Sequence, residues 1–169
     1  MKKDLAIIFG LFLIIIVLVI FGHGVTTASF LNPKLNLQST IQKSKGTVTV
    51  SVRTLIIDAT VANTATERKK GFSKRDSLPL NQGMLFVFEQ SGKYGFWMKD
   101  MKFAIDILWL DEGKKIVDIA QNVPTEPDKK DKELTIYKPS QNAKYVLEVN
   151  AGLSQLHGLQ IGDQAIFEL

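Results

Sequence analysis

The carboxylate of Asp106 stands inside the apolar run IDILWL at 105–110. An isolated charge removed from water is costly, so it needs a partner or a purpose. On a strand, Asp106 shares a face with Leu108 and Leu110, while Ile105, Ile107 and Trp109 take the other. Both faces are apolar, which predicts that Asp106 is at least partly buried. Burial raises a carboxyl pKa, and a cation or backbone donors lower it. Such a group can bind a ligand or transfer a proton. It can equally be a structural acceptor, in an ion pair or a loop cap, with Arg75 as the preferred cation. The structural role is favoured, because structural networks perturb carboxylates as well.

Nine residues upstream, Trp97 is flanked by polar groups, Lys99 and Asp100, in YGFWMKD (94–100). An exposed ring beside polar side chains is a common seat for sugars and other flat amphipathic ligands. Phe96 and Met98 alternate with Trp97 and read as core, where aromatic side chains usually go. Trp97 faces the opposite way and reads as a pocket wall. Glu148, in AKYVLEVNA (143–151), is a second carboxylate. Paired with Asp106 it would suit acid/base chemistry such as glycoside cleavage. A solvent-facing glutamate on an edge strand is the preferred reading.

Other chemistry has little material. There is no cysteine, which excludes disulfides and thiolate sites. Two histidines leave no zinc cluster and no Ser-His-Asp set in view, and His157 reads as a helix C-terminal residue. No Gly-rich phosphate loop is present, so neither a cofactor nor a metal is expected. The net charge of +4 is mild and its basic residues are mixed with acids, as in DKKDKE at 128–133. Nucleic-acid binding needs a clustered basic face, so none is expected.

The elements that must position these residues follow from pattern. TVTVSV (47–52) and TLIIDATVA (54–62) are β-branched and partly alternating, which predicts strands. Thr64 and Glu67 form a capping-box pattern; Arg68, Lys69 and Lys70 suit the end of the short helix that follows, and Gly71 its stop. GFSKRDSLPLNQG (71–83) is a loop. MLFVF (84–88), YGFWM (94–98) and IDILWL (105–110) read as strands, with EQSGK a turn between the first two. Asp111 to Lys114 make a hairpin turn into KIVDIAQNV (115–123). Residues 124–142 hold three of the five prolines and read as a long loop, a lid or a disordered segment. AKYVLEVNA is a strand, Asn150 caps a second short helix that Gly158 closes, and QAIFEL (164–169) is a last strand. The prediction is a mainly β (α+β) domain with two short helices, a barrel-like or sandwich fold over 47–169.

Ahead of that domain, residues 5–22, LAIIFGLFLIIIVLVIFG, carry no charged side chain. As a helix they would extend about 27 Å, near the ~30 Å hydrocarbon core. Lys2 and Lys3 lie on their N-terminal side, so the positive-inside bias puts residues 1–4 in the cytoplasm and the domain outside. A cleaved signal peptide is the alternative, with Thr26-Thr27-Ala28 a passable site. The apolar run is long for one, and an uncleaved transmembrane anchor is preferred. Residues 23–46 are polar and read as a flexible linker.

GFSKRDSL, GMLFVFE, FWMKDMKFAIDILWLD, KIVDIAQNVPTEP, AKYVLEVNAG and GLQIGD, in that order, resemble the signature blocks of the prokaryotic "domain of unknown function 192" family. The resemblance covers roughly residues 50–169 and implies a compact, mostly β, barrel-like fold. It implies no activity. The family pattern around the centre is W-M-K-N-T, two residues, then P-L-D. Trp97, Met98, Lys99 and Asp106 match it, as does the Arg75 position. Asp100, Met101 and Ala104 stand where the pattern has Asn, Thr and Pro.

Three functions follow as expectations. The first is a membrane-anchored, extracytoplasmic, non-catalytic binding domain. Its groove would be lined by Trp97, Lys99 and Asp106 with Arg75 as orienting cation, for a carbohydrate or cell-envelope ligand. The second is an envelope enzyme using Asp106 with Glu148. The third is an interaction or assembly module using an apolar patch around Phe103 and the 124–142 loop.

Overall fold

The structure, a computed structural model, describes residues 46–169. The expected cytoplasmic tail, anchor and most of the linker lie outside the described residues. Among the described residues, no helix is long and apolar enough to cross a membrane.

Seven strands make one sheet: β1 (Thr47–Val52), β2 (Leu55–Ala62), β3 (Gln82–Gly92), β4 (Ile105–Leu110), β5 (Ile116–Val123), β6 (Ala143–Asn150) and β7 (Ala165–Ile166). Their order is β5-β4-β6-β3-β2-β1-β7. All neighbours are antiparallel except β2 and β3. A parallel pair needs a crossover, and the short helix α1 (Ala65–Lys70) lies on it. The sheet curls until its edges meet: the Lys114 and Asp163 carbonyls accept from the Ala165 and Ile116 amides, each at 2.9 Å. One curled sheet is a barrel-like solution, and the sandwich expectation falls away.

Alternation then gives two cores. Val48, Val50, Ile57, Leu85, Leu108, Leu110, Leu147 and Val149 fill the concave side. Phe86, Ile105, Ile107, Trp109 and Val146 pack on the convex side under Phe72, Leu78, Met98 and Met101. This is why every residue of β4 is buried. Packing here is close. A Cβ on Gly83 would come within 2.7 Å of the Glu148 carbonyl oxygen and of Ile57 Cγ2, so only glycine fits.

Most predicted elements form. Thr64 caps α1 with the reciprocal Glu67 bond, and the basic residues Arg68, Lys69 and Lys70 occupy its last turn. Four expectations need correction. EQSGK is no turn: β3 continues through a register irregularity to Gly92, opposite Ala143. YGFWM is not a strand, and only Phe96 pairs, with Tyr137. Its apolar residues are apolar because Met98 and Phe96 cover the convex face, not because they join the ladder. The last strand shrinks to Ala165–Ile166. Asn150 does not cap the second helix, α2 (Leu153–Leu156), whose N-cap is Gly152. The Asn150 amide instead donates to the Leu78 and Pro79 carbonyls.

Candidate functional site

Asp106 points to the concave side and is 0% exposed. Its Oδ1 accepts from the backbone amides of Asn122 at 2.7 Å and Gly152 at 3.1 Å. Its Oδ2 accepts from the Ser154 amide at 2.9 Å and the Ser154 hydroxyl at 2.6 Å. The carboxylate thus pins the end of β5 and does for the start of α2 what an N-cap side chain would do. Arg75 is not its partner. That guanidinium lies 5.2 Å from the centre of the Phe72 ring. The donors come from backbone amides and a serine hydroxyl 16 to 48 residues away in the chain.

A cleft of about 620 Å³ opens on the other side of the sheet. Its walls are α1, the loop after it, and the strap of residues 94–101, with Asp131 at one end. Trp97, Lys99, Asp100 and Glu148 all line it, whereas Asp106 and Arg75 do not. Trp97 is 48% exposed, a large ring left open to solvent. Behind it the wall is aromatic. Phe88 and Tyr94 stack at 3.6 Å, and Phe86 and Phe96 meet edge to face at 4.9 Å. Gly95 lets the strap lie close to the 124–142 loop, since a Cβ there would come within 2.6 Å of Ile136 Cγ2.

Asp100 has φ 56, a left-handed conformation that Asn and Asp tolerate best among residues with a side chain. Its carbonyl accepts from the Lys74 amide at 3.0 Å, tying the strap to the loop after α1. The exchange of Asn for Asp relative to the family pattern is therefore compatible with the backbone. Lys99 pairs with Asp131, which raises the Lys99 pKa and fixes one end of the cleft. Arg68 donates to the Asn63 and Val87 carbonyls and lies 5.0 Å from the centre of the Phe88 ring.

Glu148 is the residue that pattern reading misplaced. β6 is central, between β3 and β4, not an edge. Glu148 is 5% exposed, with Met84 and Ile107 as its cross-strand neighbours. Among the described residues no donor or cation reaches its carboxyl, and burial pushes its pKa up to about 8. No polar side-chain atom of the described residues is both sealed and unpartnered, so the carboxyl opens to the cleft. The sequence held one usable signal: Glu148 alternates with Val146 on a strand whose other face is apolar.

Asp106 and Glu148 do not form a pair. Asp106 is in register with Val149, and Glu148 with Ile107, so the two carboxyls project from opposite faces of the sheet. Phe103 is partly buried against Phe72, with ring centres 5.9 Å apart. His157 closes α2, and its Nδ1 lies 2.9 Å from the Thr54 hydroxyl. Among the described residues no cluster of His, Asp and Glu could hold a metal ion.

The model of the DUF192 family, described as uncharacterized ACR, matches residues 47–167. A protein of unknown function from Novosphingobium aromaticivorans DSM 12444 is similar in structure, with a TM-score of 0.61 and 27% identity. The match covers 71% of this chain and 83% of that one. A "putative transcription regulator" from Sinorhizobium meliloti 1021 has a TM-score of 0.65 at 24% identity, over 72% of this chain and 93% of that one. This second likeness shows the fold alone. No curated protein matches the sequence.

Proposed function

This chain belongs to the DUF192 family, and from that premise we propose a non-catalytic binding domain, tethered outside the cytoplasmic membrane by residues 5–22, that holds a carbohydrate of the cell envelope in the cleft beside Trp97. The family carries no assigned activity, so the reading rests on the site. Its main support is the half-exposed Trp97 ring, 48% open, on the wall of a cleft of ligand size. A flat apolar face with polar groups beside it suits a sugar ring, which has apolar faces and a polar edge. Lys99, held by Asp131, and Asp100 supply those polar groups. Asp106 has no part in the seat. It holds β5 and α2 in place on the far side of the sheet.

The two tryptophans make the reading testable within one molecule. Trp109 is buried, and its indole N–H donates to the Tyr94 carbonyl at 3.1 Å. Titration of the full chain in detergent micelles with envelope-type sugars is expected to shift the Trp97 indole NMR signal and to leave that of Trp109 in place. Trp97→Ala is expected to weaken binding at least tenfold, in the range typical of an aromatic anchor. A panel of such sugars that leaves the Trp97 signal unmoved would remove the ligand seat. The tether has its own check: deletion of residues 5–22 is expected to move the protein from the membrane to the soluble fraction. Retention on the membrane would sink that part of the reading.

A further inference from the structure

The cleft is charged in a one-sided way. Arg68, Lys69 and Lys70 from α1, Lys74 from the loop after it, and Lys99 from the strap face it, against Asp100 and Asp131. Tyr94 is the remaining titratable group besides Glu148. Lys99 is taken by Asp131, and Arg68 by two carbonyls and the Phe88 ring. Lys69, Lys70 and Lys74 have no side-chain partner among the described residues. At the floor, Glu148 is also without a partner, and the strands on either side of it present the uncharged Met84 and Ile107. This carboxyl opens onto the cleft, where a bound group can supply the partner that the protein itself does not.

We infer that the cleft selects an oxyanion, a carboxylate or phosphate carried on a sugar or polyol. The free lysines would meet its charge, and Glu148 would donate a hydrogen bond to one of its oxygens from the carboxylic acid form. The inference deepens the carbohydrate reading and rests on it. A protonated carboxyl has one O–H donor, and a donor at the floor complements an acceptor-only anion. A cationic ligand meets the wrong field, because the mouth of the cleft is basic. Burial favours the acid form at neutral pH, with the Glu148 pKa at about 8.

The test uses the full chain in detergent micelles, read by the Trp97 indole signal. The probes are glucuronate, glycerol phosphate, glucose and glucosamine. Glucuronate or glycerol phosphate is expected to bind at least tenfold more tightly than glucose, with glucosamine weakest. The carboxylate and phosphate arms separate a uronic-acid polymer from a polyol-phosphate polymer. Glucuronate stays ionised from pH 7 to pH 9. Its affinity should therefore follow the protonated fraction of Glu148, which falls about tenfold between pH 7 and pH 9 for a pKa of about 8. Glu148→Gln keeps a donor and loses the titration, so its affinity should change less than twofold over the same range. Binding of glucosamine in preference to glucuronate overturns the inference. So does a wild-type glucuronate affinity that is equal at pH 7 and pH 9. Preference for glucose, with Trp97 still shifted, overturns the oxyanion and leaves the carbohydrate seat standing. Silence from all four probes removes both.

Discussion

Asp106→Asn is expected to cost about 2–4 kcal/mol of stability, and Asp106→Ala about 3–5 kcal/mol, far more than a surface change. The reason is the set of four donors. Each carboxylate oxygen accepts two hydrogen bonds, and the residue is fully buried. An asparagine amide must turn its NH2 toward one of the two donor pairs. The Ser154 hydroxyl can rotate and accept, but the backbone amides of Asn122, Gly152 and Ser154 cannot. At least one buried N–H is therefore left facing another donor. Alanine leaves all four unpaired. Urea unfolding would measure the loss, and hydrogen exchange would localise it to the amides of Asn122, Gly152 and Ser154. A loss below about 1 kcal/mol would mean that water enters and replaces the carboxylate, against the closed packing described above. Trp97 chemistry should survive both substitutions where the fold does, since Asp106 lies across the sheet from the cleft.

Glu148→Gln should have the opposite sign. Burial raises the folded-state pKa of Glu148 to about 8, from an ordinary value of 4.5. Between those values the folded chain holds a proton that the unfolded chain has released. Stability from this group is thus fully present below pH 4.5, declines as pH rises toward 8, and is lost above it. At about 1.36 kcal/mol per pH unit, the full decline is on the order of 4–5 kcal/mol. Glutamine mimics the neutral acid and has nothing to release. The variant should match wild type near pH 4 and exceed it by several kcal/mol at pH 9. Unfolding midpoints at pH 4, 7 and 9 decide the matter. Parallel curves for the two proteins would show that Glu148 ionises in the folded state as easily as in water.

The two carboxylates also show where pattern reading succeeds and where it stops. Asp106 stands out in the sequence because a charge among apolar residues on both faces of one strand is a property of the local sequence alone. Its partners were out of reach. Backbone amides carry no residue type, and those of Asn122, Gly152 and Ser154 come to it only through β5 and α2. Arg75 was a reasonable substitute, because side-chain charge is what a sequence displays. Glu148 failed in the reverse direction. Its strand was correctly placed, but whether a strand is central depends on the order of pairing, and β6 lies between β3 and β4, which precede it in the chain by many residues.

The local determinants of this protein are therefore written in short-range pattern. Alternation, short apolar runs and a hairpin turn mark β1 to β6, the Thr64–Glu67 reciprocity fixes α1, and several blocks in order identify the family over residues 47–167. The aromatic run at 94–98 shows the limit, since period-two apolarity serves a covering strap as well as a strand. Tertiary structure alone decided that the β framework is one curled sheet instead of a sandwich, and that Glu148 is buried beneath the cleft without a partner. Those outcomes depend on which distant segments meet. A residue's environment is the sum of its neighbours in space, while the sequence names only its neighbours along the chain.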